Sequence, residues 1–100
     1  GFTPDFDRLD IRLLTPNAGY IRVSRQPVQI RFSAPAGTQM WPNVRNQDDT
    51  DFDEYAEFTQ EAGEWVLTID TLPPGEYRVM ISVKPEDQWV FVGDIRLLVN

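Results

Sequence analysis

Cysteine and histidine are both missing from this chain, and Lys84 is its only lysine. Without cysteine, the protein has no disulfide framework, no thiolate metal site and no thiol nucleophile. The missing histidine removes the usual general base near neutral pH and the imidazole metal ligand. We therefore expect a protein that is not an enzyme and whose stability comes from the packing of its core.

Long apolar runs are also missing. The longest, residues 89–92, spans four residues, whereas a helix needs roughly 20 apolar residues to cross a bilayer. Apolar side chains instead alternate with polar ones along short segments such as residues 28–33 and 64–70. Alternation with period two predicts strands with one buried face, and seven or eight such strands separated by turns predict an all-β sandwich.

The predicted strands form one domain over residues 8–100, preceded by an N-terminal arm over residues 1–7. Gly93 and Asp94, inside the last strand, predict a bulge or a kink. The expected strands, in chain order, cover residues 8–14, 20–24, 27–34, 39–44, 54–60, 64–70, 76–84 and 88–99.

A turn with two prolines and a glycine comes directly before the strand that begins at Tyr77. The pattern that runs from Trp65 to Val83 is Trp-x-Leu-x-Ile-x-x-Leu-Pro-Pro-Gly-x-Tyr-x-Val-x-Ile-x-Val. It resembles the E strand, corner and F strand of bacterial immunoglobulin-like and fibronectin type III-like modules, and residues 27–33 resemble their B strand. The resemblance implies an immunoglobulin-like β-sandwich of seven to eight antiparallel strands with a tyrosine at the corner. It implies little about function, because this architecture has many uses.

Charge is unevenly distributed along the sequence, whose formal net charge is −7. Residues 8–45 contain six arginines and one acidic residue, whereas residues 46–77 contain ten acidic residues and no lysine or arginine. If the fold keeps the two segments apart, the resulting dipole favours contact with other copies or with an oppositely charged partner. If the strands interleave, the separation disappears, and the sequence leaves both outcomes open.

Several aromatic residues are candidates for partner binding. Trp65 is in phase with the apolar residues of its strand and is expected in the core. Of the others, two lie in the arm, Trp41 lies in an irregular segment, and Tyr20 and Trp89 lie at the starts of predicted strands. Where such rings are exposed, they bind protein partners or provide flat platforms for sugar rings. The predicted partner-binding residues are Phe2, Phe6, Tyr20, Trp41 and Trp89.

Asp49, Asp51 and Asp53 have the alternating spacing of carboxylates at the start of a calcium loop. The EF-hand pattern then fails, because Glu54 occupies the glycine position and Gln60 the position of the closing glutamate. A calcium site of the kind formed by sandwich loops is one prediction from this cluster. The other is an acidic loop exposed to solvent, which binds no metal.

These features together predict a non-catalytic structural or interaction module that mediates protein–protein contacts or self-assembly. The expected setting is extracytoplasmic, in a secreted, cell-surface or virion assembly. The alternative is a carbohydrate-binding accessory module that uses the exposed aromatic residues. We expect no nucleic-acid partner, no transmembrane segment and no cofactor other than calcium.

Overall fold

The computed structural model describes residues 4–100, with side chains described from Phe6 onward. A short helix, α1, spans Pro4–Arg8, and a 3-10 turn spans Asp53–Tyr55. The strands are Arg12–Thr15 (β1), Tyr20–Val23 (β2), Val28–Ser33 (β3), Gln39–Asn46 (β4), Ala56–Glu61 (β5), Glu64–Ile69 (β6), Gly75–Lys84 (β7) and Val90–Val99 (β8).

The eight strands form two four-stranded sheets. The first sheet has the order β1-β3-β6-β5 and the second has the order β2-β8-β7-β4. Neighbouring strands pair antiparallel, except that β2 runs parallel to β8. Taking β1 and β3–β8 as strands A to G gives A-B-E-D in one sheet and G-F-C in the other, which is the immunoglobulin arrangement. The predicted immunoglobulin-like sandwich is therefore confirmed, with one parallel pair at the edge of the second sheet.

Alternating side chains build the core between the two sheets. Along β7, Tyr77, Val79, Ile81 and Val83 all point inward and are at most 3% exposed. Opposite them, the first sheet contributes Phe32 and other apolar residues of β3 and β6. Trp65 lies at the margin of this core, partly buried, as its phase in β6 predicts.

Two side-chain hydrogen bonds fix the corner before β7. The Tyr77 hydroxyl donates to the carbonyl of Pro73 at 2.6 Å. The Gln26 side chain accepts from the backbone N–H of Leu72 at 2.7 Å, which ties the corner to the chain just before β3. Gly75 has a φ of +150°, a conformation that residues with a Cβ rarely adopt. The predicted tyrosine corner is thus present.

The N-terminal segment differs from the prediction. A strand over residues 8–14 was expected, but Pro4–Arg8 is helical and the strand begins only at Arg12. Asp10 has a φ of +58°, which interrupts any extended run, and its N–H donates to the carbonyl of Asp7 at the end of the helix. Within residues 4–100, no helix has the length and apolar character needed to cross a membrane.

Phe6 is the second correction in this segment. It was predicted as an exposed arm residue that binds a partner, but only 2% of it is exposed. Its ring belongs to the core cluster and packs edge-on against Phe32, with the centroids 6.1 Å apart. Phe6 therefore stabilises the domain and does not line a binding surface. Phe2, the other aromatic residue of the predicted arm, lies outside the described residues.

Candidate partner-binding face

The outward face of the second sheet carries a row of exposed aromatic side chains. Trp41 on β4 pairs with Ser82 on β7, and Ser82 pairs with Phe91 on β8. Trp41 is 58% exposed and Phe91 is 53% exposed. The exposure of Trp41 agrees with the sequence prediction, whereas Phe91 was not predicted as a surface residue. We call this set, Trp41, Ser82 and Phe91, the aromatic row.

A bulge in β8 places Phe91 on this face. Ile81 pairs with Gly93 but Ser82 pairs with Phe91, so that Val92 is the extra residue. Val92 is buried and Phe91 is exposed. Without the extra residue, the alternation along β8 would turn Phe91 inward. The predicted bulge around Gly93 is therefore present. The outward direction of Phe91 follows from the shift in its pairing with β7.

Trp89 extends the aromatic surface beyond the end of β7. It is 48% exposed, and the Lys84 ammonium lies 6.0 Å from its ring centroid, within cation–π range. Trp41, Ser82 and Trp89 line an open depression of about 370 Å³. Two of the predicted partner-binding residues, Trp41 and Trp89, are therefore brought together on one surface.

A second row on the same face consists of arginines. Arg45, Arg78 and Arg96 lie directly opposite one another on β4, β7 and β8, and Tyr20, 47% exposed, continues the row on β2. Arg45 is paired with Asp51 at 3.6 Å. Arg78 and Arg96 are exposed and make no ion pair with any residue from 6 to 100. Like charges directly opposite across strands repel, so that this arginine row lowers the stability of the isolated domain.

Between these two rows lies a middle row of Asn43, Met80 and Asp94. On β4 and β7, each outer row is two residues from the middle row, which at about 3.4 Å per residue separates the outer rows by roughly 14 Å. The aromatic row, the middle row and the arginine row together form what we call the aromatic–arginine face. It combines exposed aromatic rings with the cations of Arg78 and Arg96, which make no ion pair within residues 6–100.

The outward face of the first sheet is different, because its arginines, Arg12 and Arg31, are in ion pairs. Arg31 lies within 3.5 Å of both Glu61 and Glu64. Its cross-strand neighbour Val66 is 0% exposed although it points outward. This face therefore offers no comparable apolar or unpaired cationic surface among the residues that the structure describes.

The charge separation seen in the sequence is only partly kept by the fold. Several acidic residues of segment 46–77 lie along β5 and the start of β6, in the first sheet. The arginine row of the second sheet takes one member from the basic segment, Arg45, and two from beyond residue 77. Strand pairing thus creates a local basic row that the linear charge count does not contain.

The carboxylates of the aspartate cluster accept hydrogen bonds from nearby residues. Asp53 accepts from the backbone N–H of Val44 at 2.6 Å and from the Asn43 amide at 2.8 Å. Asp51 accepts from the N–H of Asp53 at 2.7 Å and pairs with an arginine, while Asp49 sits in a turn with a φ of +62°. Within residues 6–100, no three acidic side chains lie close enough to hold a metal ion. The geometry does not support the predicted calcium site, since these carboxylates brace the loop after β4.

A groove of about 520 Å³ opens between the edges of β4 and β5. Its apolar lining includes Met40, Pro42 and Phe58, and the Phe58 ring packs edge-on against Trp65 at 5.9 Å. Pro42 has no N–H to donate, which makes the β4 edge a poorer template for another strand. The groove shares Trp41 with the aromatic row.

Comparisons with known proteins add a distant structural likeness. No protein-family model matches the sequence, and no curated protein matches it. Among solved structures, the chain is similar to one described as the crystal structure of the ZIG-8 IG1 homodimer, with 20% identity and a TM-score of 0.46. The match covers 89% of this chain and 84% of that chain. The assignment of the immunoglobulin-like fold given above rests on the strand order and the tyrosine corner of this chain.

Proposed function

We propose that this domain is a non-catalytic interaction module that binds a protein surface through the aromatic–arginine face. The observation that carries the proposal is the pair of rows, one with Trp41 and Phe91 exposed and one in which Arg78 and Arg96 make no ion pair within residues 6–100. Aromatic and arginine side chains are the residue types enriched at the energetic centres of protein interfaces. Both rows lie on one sheet face, so a single partner surface can cover them.

The setting that we propose is extracytoplasmic, in a secreted, cell-surface or virion assembly. Support comes from the resemblance of residues 65–83 to bacterial immunoglobulin-like and fibronectin type III-like modules, which serve such assemblies. Tyr20 and Trp89 belong to the proposed surface as its two ends, and Phe2 is kept as a proposed contact residue from the sequence alone.

The test is sedimentation velocity over a concentration series, with a double variant Trp41→Ala/Phe91→Ala. Both side chains are more than half exposed, so their removal should leave the melting temperature nearly unchanged. Thr59→Ala, on the outward face of the first sheet, is the matched control. Association that the double variant loses and the control keeps supports the proposal. A monomer at every concentration, together with no protein captured by the wild type over the double variant, contradicts it.

A second candidate function is carbohydrate binding, which the depression between Trp41 and Trp89 favours. Flat aromatic rings beside an open depression can stack on the apolar face of a sugar ring. Ser82 is the one hydroxyl among the residues that line it. A glycan panel with tryptophan fluorescence as the readout tests this function, and fluorescence that no sugar changes would rule it out.

A further inference from the structure

We infer that the occupant of the aromatic–arginine face is a second copy of this chain. The two copies pack face to face about a two-fold axis that runs across the strands, above the middle row. The inference rests on the proposed function, because it names the partner of that same face. It follows from the order of the rows: on β4 and β7 the aromatic row and the arginine row lie at equal distances on opposite sides of the middle row.

The rotation brings unlike rows together. It reverses the strand direction and keeps the strand order, so that β4 faces the partner's β4 and β7 faces the partner's β7. The aromatic row of each copy then meets the arginine row of the other, and Met80 lies opposite the partner's Met80. Such an interface is isologous, with every contact made twice.

Each pairing has a chemical reason. Trp41 faces the partner's Arg45 and Phe91 faces the partner's Arg96. A guanidinium group is attracted to the face of an aromatic ring and stacks on it through its own planar surface. Ser82 faces the partner's Arg78, which can donate to the serine hydroxyl. The aromatic row of each copy thus supplies two rings and a hydroxyl group, and the arginine row of the other copy supplies the three guanidinium groups that bind them.

The other simple two-fold arrangement is unfavourable. An axis that runs along the strands keeps each row at its own level, so that the three arginines of one copy meet the three arginines of the other. Six guanidinium groups then lie in one interface, and four of them, Arg78 and Arg96 of each copy, have no ion-pair partner among residues 6–100, so they repel. The observed order of rows therefore selects the axis across the strands.

The middle row contains the main cost of the proposed dimer. Asp94 faces the partner's Asp94, and two facing carboxylates repel. Asp94 is two residues from Arg96 on the same strand face, so cations of both copies lie near this pair. The covered sheet is four strands wide, about 19 Å, and an interface of this small size predicts a dissociation constant in the micromolar range or weaker.

Crosslinking at the axis tests the geometry. The chain contains no cysteine, so Met80→Cys introduces a single thiol per copy. Facing strands of packed sheets lie about 10 Å apart, which is too far for a disulfide but suits a bismaleimide of that length. We expect rapid crosslinking of Met80→Cys to a covalent dimer and at least tenfold slower crosslinking of Thr59→Cys, on the outward face of the first sheet.

A charge introduced at Ser82 tests which groups meet. Ser82→Glu places a carboxylate against the partner's Arg78 twice in each dimer, and we expect the dissociation constant to fall about threefold to tenfold in sedimentation equilibrium. Thr59→Glu, which adds the same charge on the other sheet, should not tighten the dimer. If the occupant is instead an acidic partner protein, Ser82→Glu adds repulsion at the face and does not tighten association between copies.

Salt dependence gives a third readout. Each copy carries a net charge of −7, so salt screens the overall repulsion between copies. The short-range contacts between arginines and aromatic rings are screened less. The wild-type dimer should therefore be at least as tight at high salt as at low salt.

The outcomes separate this inference from the proposed function. Association that Trp41→Ala/Phe91→Ala abolishes, without faster crosslinking of Met80→Cys and with weakening by Ser82→Glu, overturns the two-fold arrangement and leaves the face as a binding surface. Association that the double variant does not change overturns both. Fast crosslinking at Met80 together with tightening by Ser82→Glu supports the dimer.

Discussion

Replacing Tyr77 by phenylalanine should measure how much the tyrosine corner contributes to stability. The variant keeps the buried ring and removes only the hydroxyl that donates to the Pro73 carbonyl at 2.6 Å. Loss of one such hydrogen bond, with the carbonyl left without its donor, costs about 1–2 kcal/mol. For a domain of about 100 residues, that corresponds to a fall in melting temperature of roughly 5–10 °C.

The assay for this prediction is thermal and urea unfolding followed by circular dichroism. Tyr20→Phe is the control, because Tyr20 is 47% exposed and its hydroxyl makes no hydrogen bond with any residue from 6 to 100. We expect Tyr20→Phe to unfold like the wild type. Equal stability of Tyr77→Phe and Tyr20→Phe would contradict this prediction, since the corner hydrogen bond would then contribute nothing to the free energy of unfolding.

The same hydroxyl gives a pH dependence whose sign is fixed. Burial, and secondarily the nearby Tyr55, raise the pKa of Tyr77 above its ordinary value of 10.0. Because the folded state holds this proton more tightly than the unfolded state, the contribution is fully present below pH 10 and is lost as the pH rises through the raised pKa. The stability difference between wild type and Tyr77→Phe should therefore shrink above about pH 10. A difference that stays constant into this alkaline range would contradict the assignment.

Three further predictions concern the N-terminal segment, the aspartate loop and the dimer. Phe6→Ala should lower the free energy of unfolding by about 3–5 kcal/mol in urea titrations, whereas a residue of an exposed arm would change it little. Asp53→Ala should lower the free energy of unfolding by about 1–3 kcal/mol, because the N–H of Val44 loses its acceptor. Millimolar calcium should leave the wild-type melting temperature unchanged, and a rise in that temperature would instead support a calcium site in the aspartate loop. Asp94→Asn should tighten self-association about threefold in sedimentation equilibrium, and weaker association would contradict the facing of the two Asp94 residues.

The fold was predictable from the sequence wherever a local pattern determines the structure. The alternation in residues 64–70 and 76–84 sets which side chains face the core, and a register error of one residue would expose all of them. The prolines and glycine before Tyr77 identify the corner for the same local reason. The start of β1 was wrong because Leu9 and Ile11 alternate as in a strand, while the backbone at Asp10 turns to a positive φ.

The aromatic–arginine face was only partly predictable, because it depends on which strands lie side by side. Trp41 could be selected from its irregular surroundings, and Trp89 as a large aromatic residue at the start of a predicted strand. The arginine row could not, since Arg45, Arg78 and Arg96 are distant in sequence and meet only through the pairing of β7 with β4 and β8. Phe91 lies inside a predicted strand, where the sequence does not show which face it occupies, and the bulge at Val92 turns it outward.

The aspartate cluster shows the opposite case, in which a recognisable spacing has another use. Alternate carboxylates can converge on a cation, but they can equally accept hydrogen bonds from the backbone of their own loop. Asp51 and Asp53 do the latter. Sequence spacing alone does not distinguish the two, because the difference lies in where the N–H of Val44 points.

Binding of a second copy of this chain to the aromatic–arginine face is tested most directly by a dilution series of ¹⁵N-labelled protein followed by NMR. We expect the chemical shifts of the amides of β4, β7 and β8 and of the indole N–H of Trp41 to change with concentration. Those of the amides of β5 and β6 should stay unchanged. Shifts confined to the first sheet, or to the groove between β4 and β5, would contradict this prediction.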